Sequence, residues 1–125
     1  MKLLLDTHAL LWWLADDPKL TREARAAISK RSSAVFVSAA SAWEIAMKQA
    51  LAKLEAPSDL ENQLELNGFE PLLVTIGHAY AAGTLPPHHD DPFDRMLVAQ
   101  ALAEGLTLVT RDARMDLYSV PTLPA

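Results

Sequence analysis

Apolar and polar residues fall in short blocks along the chain, and the period of the blocks keeps changing. Lys2 to Leu5 is a short apolar run that ends at Asp6, which predicts a buried strand. Ala9 to Leu14 then reads as a helix, with Asp6 or Thr7 placed to cap it and Asp16-Asp17-Pro18 to stop it. Thr21 to Lys30 predicts a second helix, with Ala24, Ala27 and Ile28 on one face. Ala34 to Ser38 predicts a second strand. Ser41 opens a helix to about Leu54, whose apolar stripe is Trp43, Ala46, Met47, Ala50, Leu51 and Leu54. Pro57 breaks it. A helix from Ser58 turns Leu60 and Leu64 inward and ends near Gly68.

Pro71 to Thr75 predicts a third strand, and Gly77 to Ala82 a short helix. The loop Gly83-Thr84-Leu85-Pro86-Pro87-His88-His89 leads to an almost wholly apolar helix from Pro92 to Glu104, closed by Gly105. Leu106 to Thr110 predicts a fourth strand, Arg111 to Asp116 a polar turn, and Tyr118 to Leu123 a last short strand. Strands alternating with helices imply an α/β fold with a parallel sheet covered on both faces. At 125 residues with no repeat or linker, residues 1–125 are expected to form one domain.

Composition adds exclusions. Half the residues are hydrophobic, which argues against disorder. There is no cysteine, hence no disulfide framework, thiolate nucleophile or zinc–thiolate site, and a cytoplasmic location is expected. The start lacks the long apolar run of a signal peptide, and Ala9 to Ala15 is too short to span a membrane. A net charge of −5 argues against broad electrostatic binding to nucleic acid. It does not exclude a metal-dependent nuclease, because bound cations reverse the field of an acidic pocket.

The candidate chemistry lies in the acids. Asp6 ends the first predicted strand, Glu44 is in the first turn of the helix after the second, Asp94 is in the first turn of the Pro92 helix, and Asp112 follows the fourth strand. All four belong to one edge of a parallel sheet, where ligand sites form. Each alone has a plain structural explanation. Asp6 can be a cap. Ser41 and Glu44 form a capping box, and Glu44 can pair with Lys48. Asp91-Pro92-Phe93-Asp94 offers a cap, a proline at N1 and an acid that suits the helix dipole. Asp112 can be a turn residue. Jointly the four repel one another, a cost that a bound cation relieves. Mg²⁺ or Mn²⁺ favours such oxygen ligands and can activate water and stabilise the entering and leaving oxygens of a phosphodiester.

Other features carry less. There is no Gly-x-Gly-x-x-Gly or P-loop and no Gly-x-Ser-x-Gly elbow. His88 and His89 read as solvated loop residues before they read as ligands. Trp12 and Trp13 cannot both face inward, so one is expected at a protein interface. Arg95, Arg111 and Arg114 sit beside the acidic edge, placed to hold substrate phosphates or to neutralise carboxylates.

These residues carry a resemblance. Leu4-Leu5-Asp6-Thr7-His8, Ser41-Ala42-Trp43-Glu44-Ile45, the block His89-x-Asp91-Pro92-Phe93-Asp94-Arg95 with Ala99-Gln100-Ala101, and Leu108-Val109-Thr110-Arg111-Asp112 resemble PIN-domain proteins, specifically VapC-type toxins of bacterial toxin–antitoxin pairs. The resemblance implies a three-layer α/β/α sandwich with a mostly parallel sheet of four to five strands. It implies a Mg²⁺-dependent endoribonuclease, with Mn²⁺ a substitute. Asp6, Glu44, Asp94 and Asp112 match the family's acidic quartet, with Asp6 and Asp94 the firmest metal ligands and Asp116 able to share the fourth position. RNA as substrate, a cognate antitoxin, a homodimer and no membrane partner are the further expectations. Two other classes remain open. A receiver-like signalling module is disfavoured because Thr7-His8 follows Asp6, Thr75 closes the third strand, and residues 106–125 contain no lysine. A non-catalytic metal-binding module would bind the ion without cleaving RNA.

Overall fold

The central strand is apolar on both faces because it is covered on both. The computed structural model describes all of residues 1–125. Strand β1 (Lys2–Leu5) is followed by helices α1 (Thr7–Leu14) and α2 (Arg22–Ser29), strand β2 (Ala34–Ser38), helices α3 (Ala39–Ala50) and α4 (Leu60–Leu66), strand β3 (Glu70–Leu72), helices α5 (Ile76–Thr84) and α6 (Pro92–Glu104), strand β4 (Thr107–Thr110), a short 3₁₀ helix (Ala113–Tyr118) and strand β5 (Thr122–Pro124). The strands form one parallel sheet in the order β3-β2-β1-β4-β5. No helix is long and apolar enough to cross a membrane.

Alternation along β1 builds the three layers. Leu3 and Leu5 join Leu10, Ala24, Ile28, Ile45, Leu64 and Val109 in a core that packs α1 to α4 on one face. Leu4, one residue out of phase, joins Leu97, Val98, Ala101, Leu108 and Tyr118 under α6 on the other. All three leucines are fully buried, so the period-two pattern of side chains decides which layer each enters. The chain leaves β1 toward β2 and β3, then returns to lay β4 on the opposite side of β1. The order therefore reverses between β1 and β4, the position where a crevice opens beyond the strand ends.

Strands β1 and β2 and helix α6 have the expected bounds, and Gly105 ends α6 with φ of 66°. Four expectations are corrected. β3 spans Glu70–Leu72 rather than Pro71 to Thr75, because Thr75 turns to cap α5 through a reciprocal pair of hydrogen bonds with His78. Helix α3 starts three residues early. Its cap is Ser38, which accepts from the Ala40 amide at 3.0 Å, so the Ser41–Glu44 capping box does not form. The predicted stripe of α3 is also the wrong face. Trp43 and Leu51 are exposed, while Ala40, Ser41, Glu44 and Ile45 are buried. Finally, Trp12 and Trp13 both lie half-buried against the first core, and neither is the exposed tryptophan; Trp43 is.

The shift of the cap has a measurable consequence. Ser38→Ala should lower stability by about 1 kcal/mol, the usual value of a lost cap. Ser41 has a buried hydroxyl without a partner, so Ser41→Ala should leave stability unchanged or raise it. Urea unfolding of the two variants checks the order.

Candidate metal centre

Beyond the C-terminal ends of β1 and β4 lies an open cleft of about 820 Å³. Charged side chains dominate its lining: Asp6, Glu44, Asp90, Asp91, Asp94 and Asp112 supply carboxylates, and Lys48, Arg111 and Arg114 supply cations. All four acids of the expected quartet thus reach one cleft. Asp116 does not. It lies outside this cleft and accepts from the Thr122 hydroxyl.

Each acid arrives by a different device. Asp6 follows β1, caps α1 by accepting the Ala9 amide at 2.8 Å, and is buried. Burial raises its carboxyl above the ordinary range. Glu44 sits on the buried face of α3, a turn and a half into the helix rather than in its first turn. Both of its oxygens are engaged: Thr7 Oγ1 donates to one at 2.6 Å and Lys48 Nζ to the other at 2.6 Å. The Glu44 hydrogen bond in turn raises the Lys48 ammonium. Asp91 caps α6, accepting the Phe93 and Asp94 amides at 2.8 and 3.2 Å, and Pro92 at N1 sets the helix direction. Asp94 is thereby aimed into the cleft. Asp112 follows β4 and is gripped by Arg114, Nε to Oδ1 at 3.1 Å and Nη2 to Oδ2 at 2.9 Å. Those bonds hold its carboxyl well below the ordinary range.

Asp94 is the unbalanced member. Burial, then the neighbouring Asp91, push its carboxyl up to about 7, with Asp6 and Glu44 adding repulsion and His89 opposing it. The unfolded chain would release this proton at about 3.9. Between those values the folded, metal-free protein binds more protons than the unfolded one. Its stability from this group therefore falls as pH rises from about 4 to about 7 and is flat above. Asp112 has the opposite sign: its contribution is present at neutral pH and lost only under acid conditions. The metal-free protein should accordingly unfold at lower urea at pH 8 than at pH 5.5, and Asp94→Asn should shrink the difference.

Two expectations fail in geometry. His89 is not a solvated loop residue. Its ring is buried, with Nε2 3.1 Å from Asp94 Oδ2 and 2.8 Å from Asp112 Oδ2. Ligand atoms of His89, Asp94 and Asp112 all lie within 4.8 Å of one another, so the close-set trio pairs Asp94 with Asp112 rather than with Asp6. Arg95 points away from the cleft. Its guanidinium donates to the carbonyls of Ala82, Leu85, Pro86 and His89, which leaves it braced against the 85–89 loop instead of facing a phosphate. Arg111 does line the cleft, stacked 4.3 Å above the Trp12 ring, with donors to the carbonyls of Ala125 and Lys19. Trp12 is therefore part of the cleft wall and not of an outer surface. His88 is exposed and stacks edge-on with Tyr118.

The donor set suits a divalent ion. Two carboxylates of opposite electrostatic bias face each other across a few ångströms, and one retains a proton that a cation would displace.

Comparison with known proteins agrees with this architecture. The model of the PIN domain matches residues 3–121. The chain is 31% identical over 121 residues to ribonuclease VapC22 of Mycobacterium tuberculosis, covering 94% of this chain and 92% of that protein. Three solved complexes share the fold: VapBC2 from Rickettsia felis bound to a promoter DNA fragment (TM-score 0.71, 15% identity, 98% of both chains), FitAcB from Neisseria gonorrhoeae (0.66, 20%, 98% and 96%) and DNA-bound VapBC from Salmonella typhimurium (0.65, 20%, 98% and 97%). A parallel five-stranded sheet with helices on both faces, an acidic cleft at its topological switch and a family match over nearly the whole length together establish that this chain belongs to the PIN domain family.

Proposed function

We propose that the chain is a divalent-metal-dependent endoribonuclease, the toxin of a toxin–antitoxin pair. The observation that carries the reading is the cleft in which Asp94 and Asp112 face each other with Asp6 and Glu44 in the surrounding wall. Asp94 and Asp112 would hold Mg²⁺ or Mn²⁺, with Asp6 completing the site directly or through water. The ion supplies Lewis acidity toward phosphate oxygens and an acidified water.

The remaining work falls to the chain's own side chains. Glu44, clamped by Thr7 and Lys48, fixes the Lys48 ammonium at the cleft edge, where it can meet the charge of a phosphate. Arg114 keeps Asp112 ionised, so that oxygen ligands are available at neutral pH. Arg111, backed by Trp12, adds a second cation to the cleft lining. The cleft contains no cysteine or serine, and its threonine hydroxyl is committed to Glu44, which leaves water as the nucleophile. Net charge is negative, so RNA would be held by these few cations and the ion rather than by a basic surface.

The antitoxin follows from the relatives, whose solved forms include toxin–antitoxin complexes. Exposed Trp43, Leu73, Ile76 and Tyr80 leave apolar surface for a protein partner, in keeping with the expected homodimer. A cytoplasmic location goes with this reading. The test is cleavage of structured RNAs by the partner-free chain in Mg²⁺, in Mn²⁺ and in chelator. Cleavage only with the ion supports it. Cleavage that persists in chelator overturns the metal dependence, and ion binding with no cleavage of any RNA favours the non-catalytic module.

A further inference from the structure

His89 lies on a segment without regular structure, yet its ring is buried and constrained from every side. The Asp91 amide donates to Nδ1 at 3.0 Å. An amide can only donate, so Nδ1 presents its lone pair and the proton of the neutral ring is on Nε2. Turning the ring over would set a C–H against that amide and lose the bond. Nε2–H then donates to Asp112 Oδ2 at 2.8 Å, while Asp94 Oδ2 lies 3.1 Å from the same nitrogen without a hydrogen bond from it. A nitrogen carrying this proton has no lone pair for an ion, so the ring acts as a donor to the Asp112 carboxylate.

The backbone under the ring is also fixed. The His89 amide donates to the Tyr118 hydroxyl at 2.9 Å, and that hydroxyl donates to the Pro86 carbonyl at 2.7 Å. Arg95 donates to the carbonyls of Ala82 and Leu85 at 2.9 Å, Pro86 at 3.1 Å and His89 at 3.2 Å. Asp91 directs the ring through its amide and starts α6 through its carboxylate, which aims Asp94. One block of sequence, residues 89 to 95, thus sets the ring, the carboxylate and the brace together.

We propose that His89 is the positioning residue of the metal site: its Nε2–H, directed by the Asp91 amide and held by the Arg95-braced loop, holds Asp112 Oδ2 and so keeps that carboxylate beside Asp94, 3.1 Å from the same nitrogen, for a divalent ion. The proposal rests on the metal-site reading above. It assigns the histidine to the Asp112 carboxylate and not to the ion. Hydrogen bonds that orient ligands in this way are worth about 10–100-fold in metal affinity.

The test is titration calorimetry of the purified full chain with Mn²⁺ alone, on wild type, Asp94→Asn, His89→Gln and His89→Met, with the melting temperature of each recorded. Gln keeps a side-chain N–H donor, whereas Met fills similar space without one. His89→Met should bind Mn²⁺ about 10–100-fold more weakly than wild type while still melting cooperatively, and His89→Gln should recover most of the loss. Ring ¹⁵N spectra of the metal-free protein should show the Nε2–H tautomer, a readout that needs no bound ion. Met binding as tightly as wild type, Gln falling as far as Met, or an Nδ1–H tautomer would each overturn the proposal while leaving the metal site standing. Wild type that binds no Mn²⁺ more tightly than Asp94→Asn overturns the metal reading itself.

Discussion

Asp94→Asn should sharply reduce RNA cleavage and, in the same protein, raise the stability of the metal-free fold. The two effects have one cause. Asp94 is about one-quarter exposed, at 23% of its side-chain surface, and shares the cleft with Asp91, Asp6 and Glu44. Its negative charge is unfavourable there, which is why its proton is retained up to about 7. The amide keeps the shape and removes the charge. After discounting for partial exposure, the gain should be on the order of 1–2 kcal/mol at pH 8. The same substitution removes an anionic oxygen from the proposed metal site. An ion contributes several kcal/mol to the transition state, so cleavage should fall on the order of 10³-fold. Thermal melting and cleavage rates on one preparation measure both. Loss of activity together with loss of stability would point instead to a misfolded variant and count against the account.

Arg95→Ala should have the largest effect on stability, and for a reason unrelated to substrate. The half-buried guanidinium satisfies four carbonyls of the 82–89 segment at 2.9–3.2 Å. Removing it takes a donor from the Ala82 carbonyl near the end of α5 and from the carbonyls of Leu85 and His89, while Pro86 keeps the Tyr118 hydroxyl and the His88 amide. Unsatisfied buried groups cost about 1–3 kcal/mol each and share their losses, so a total of about 3 kcal/mol is expected. For a chain of this size that corresponds to a melting point lower by roughly 10 °C. Arg95→Lys should recover little, because a point ammonium cannot reproduce the planar fork. A phosphate-binding arginine would behave differently: its loss would weaken RNA binding and leave melting unchanged.

These two residues also mark where the sequence could and could not be read. The Pro92–Glu104 helix was legible because its boundaries are chemical: Asp91 caps it, Pro92 fits only its first turn, and Gly105 adopts the left-handed φ that ends it. The apolar runs Lys2–Leu5 and Ala34–Ser38 were legible because breakers or a polar residue bound them. Convergence of Asp6, Glu44, Asp94 and Asp112 on one cleft followed from parallel topology alone. Helix α3 was misread because its inner face must carry Glu44 toward the cleft. Hydrophobic periodicity then selects Trp43, Met47 and Leu51, which face outward. Ser38 and Ser41 are three residues apart and both suit a cap; only the end of β2, where Ser38 pairs with Leu72, decides between them. His89 looked solvated because it follows two prolines and a histidine. Its burial comes from Arg95, six residues on, and from Tyr118 and Asp112, more than twenty away. Arg95 looked like a phosphate ligand because no local pattern announces that backbone carbonyls will claim a guanidinium.

The central claim is that the cleft between β1, α6 and β4 holds the divalent ion on which cleavage depends. Anomalous diffraction from crystals soaked in Mn²⁺, at a concentration that supports RNA cleavage in solution, tests it most directly. A manganese peak is expected within ligand distance of Asp94 and Asp112 and on the Asp6 side of the cleft. Manganese bound only elsewhere, with this cleft free of it, would contradict the account.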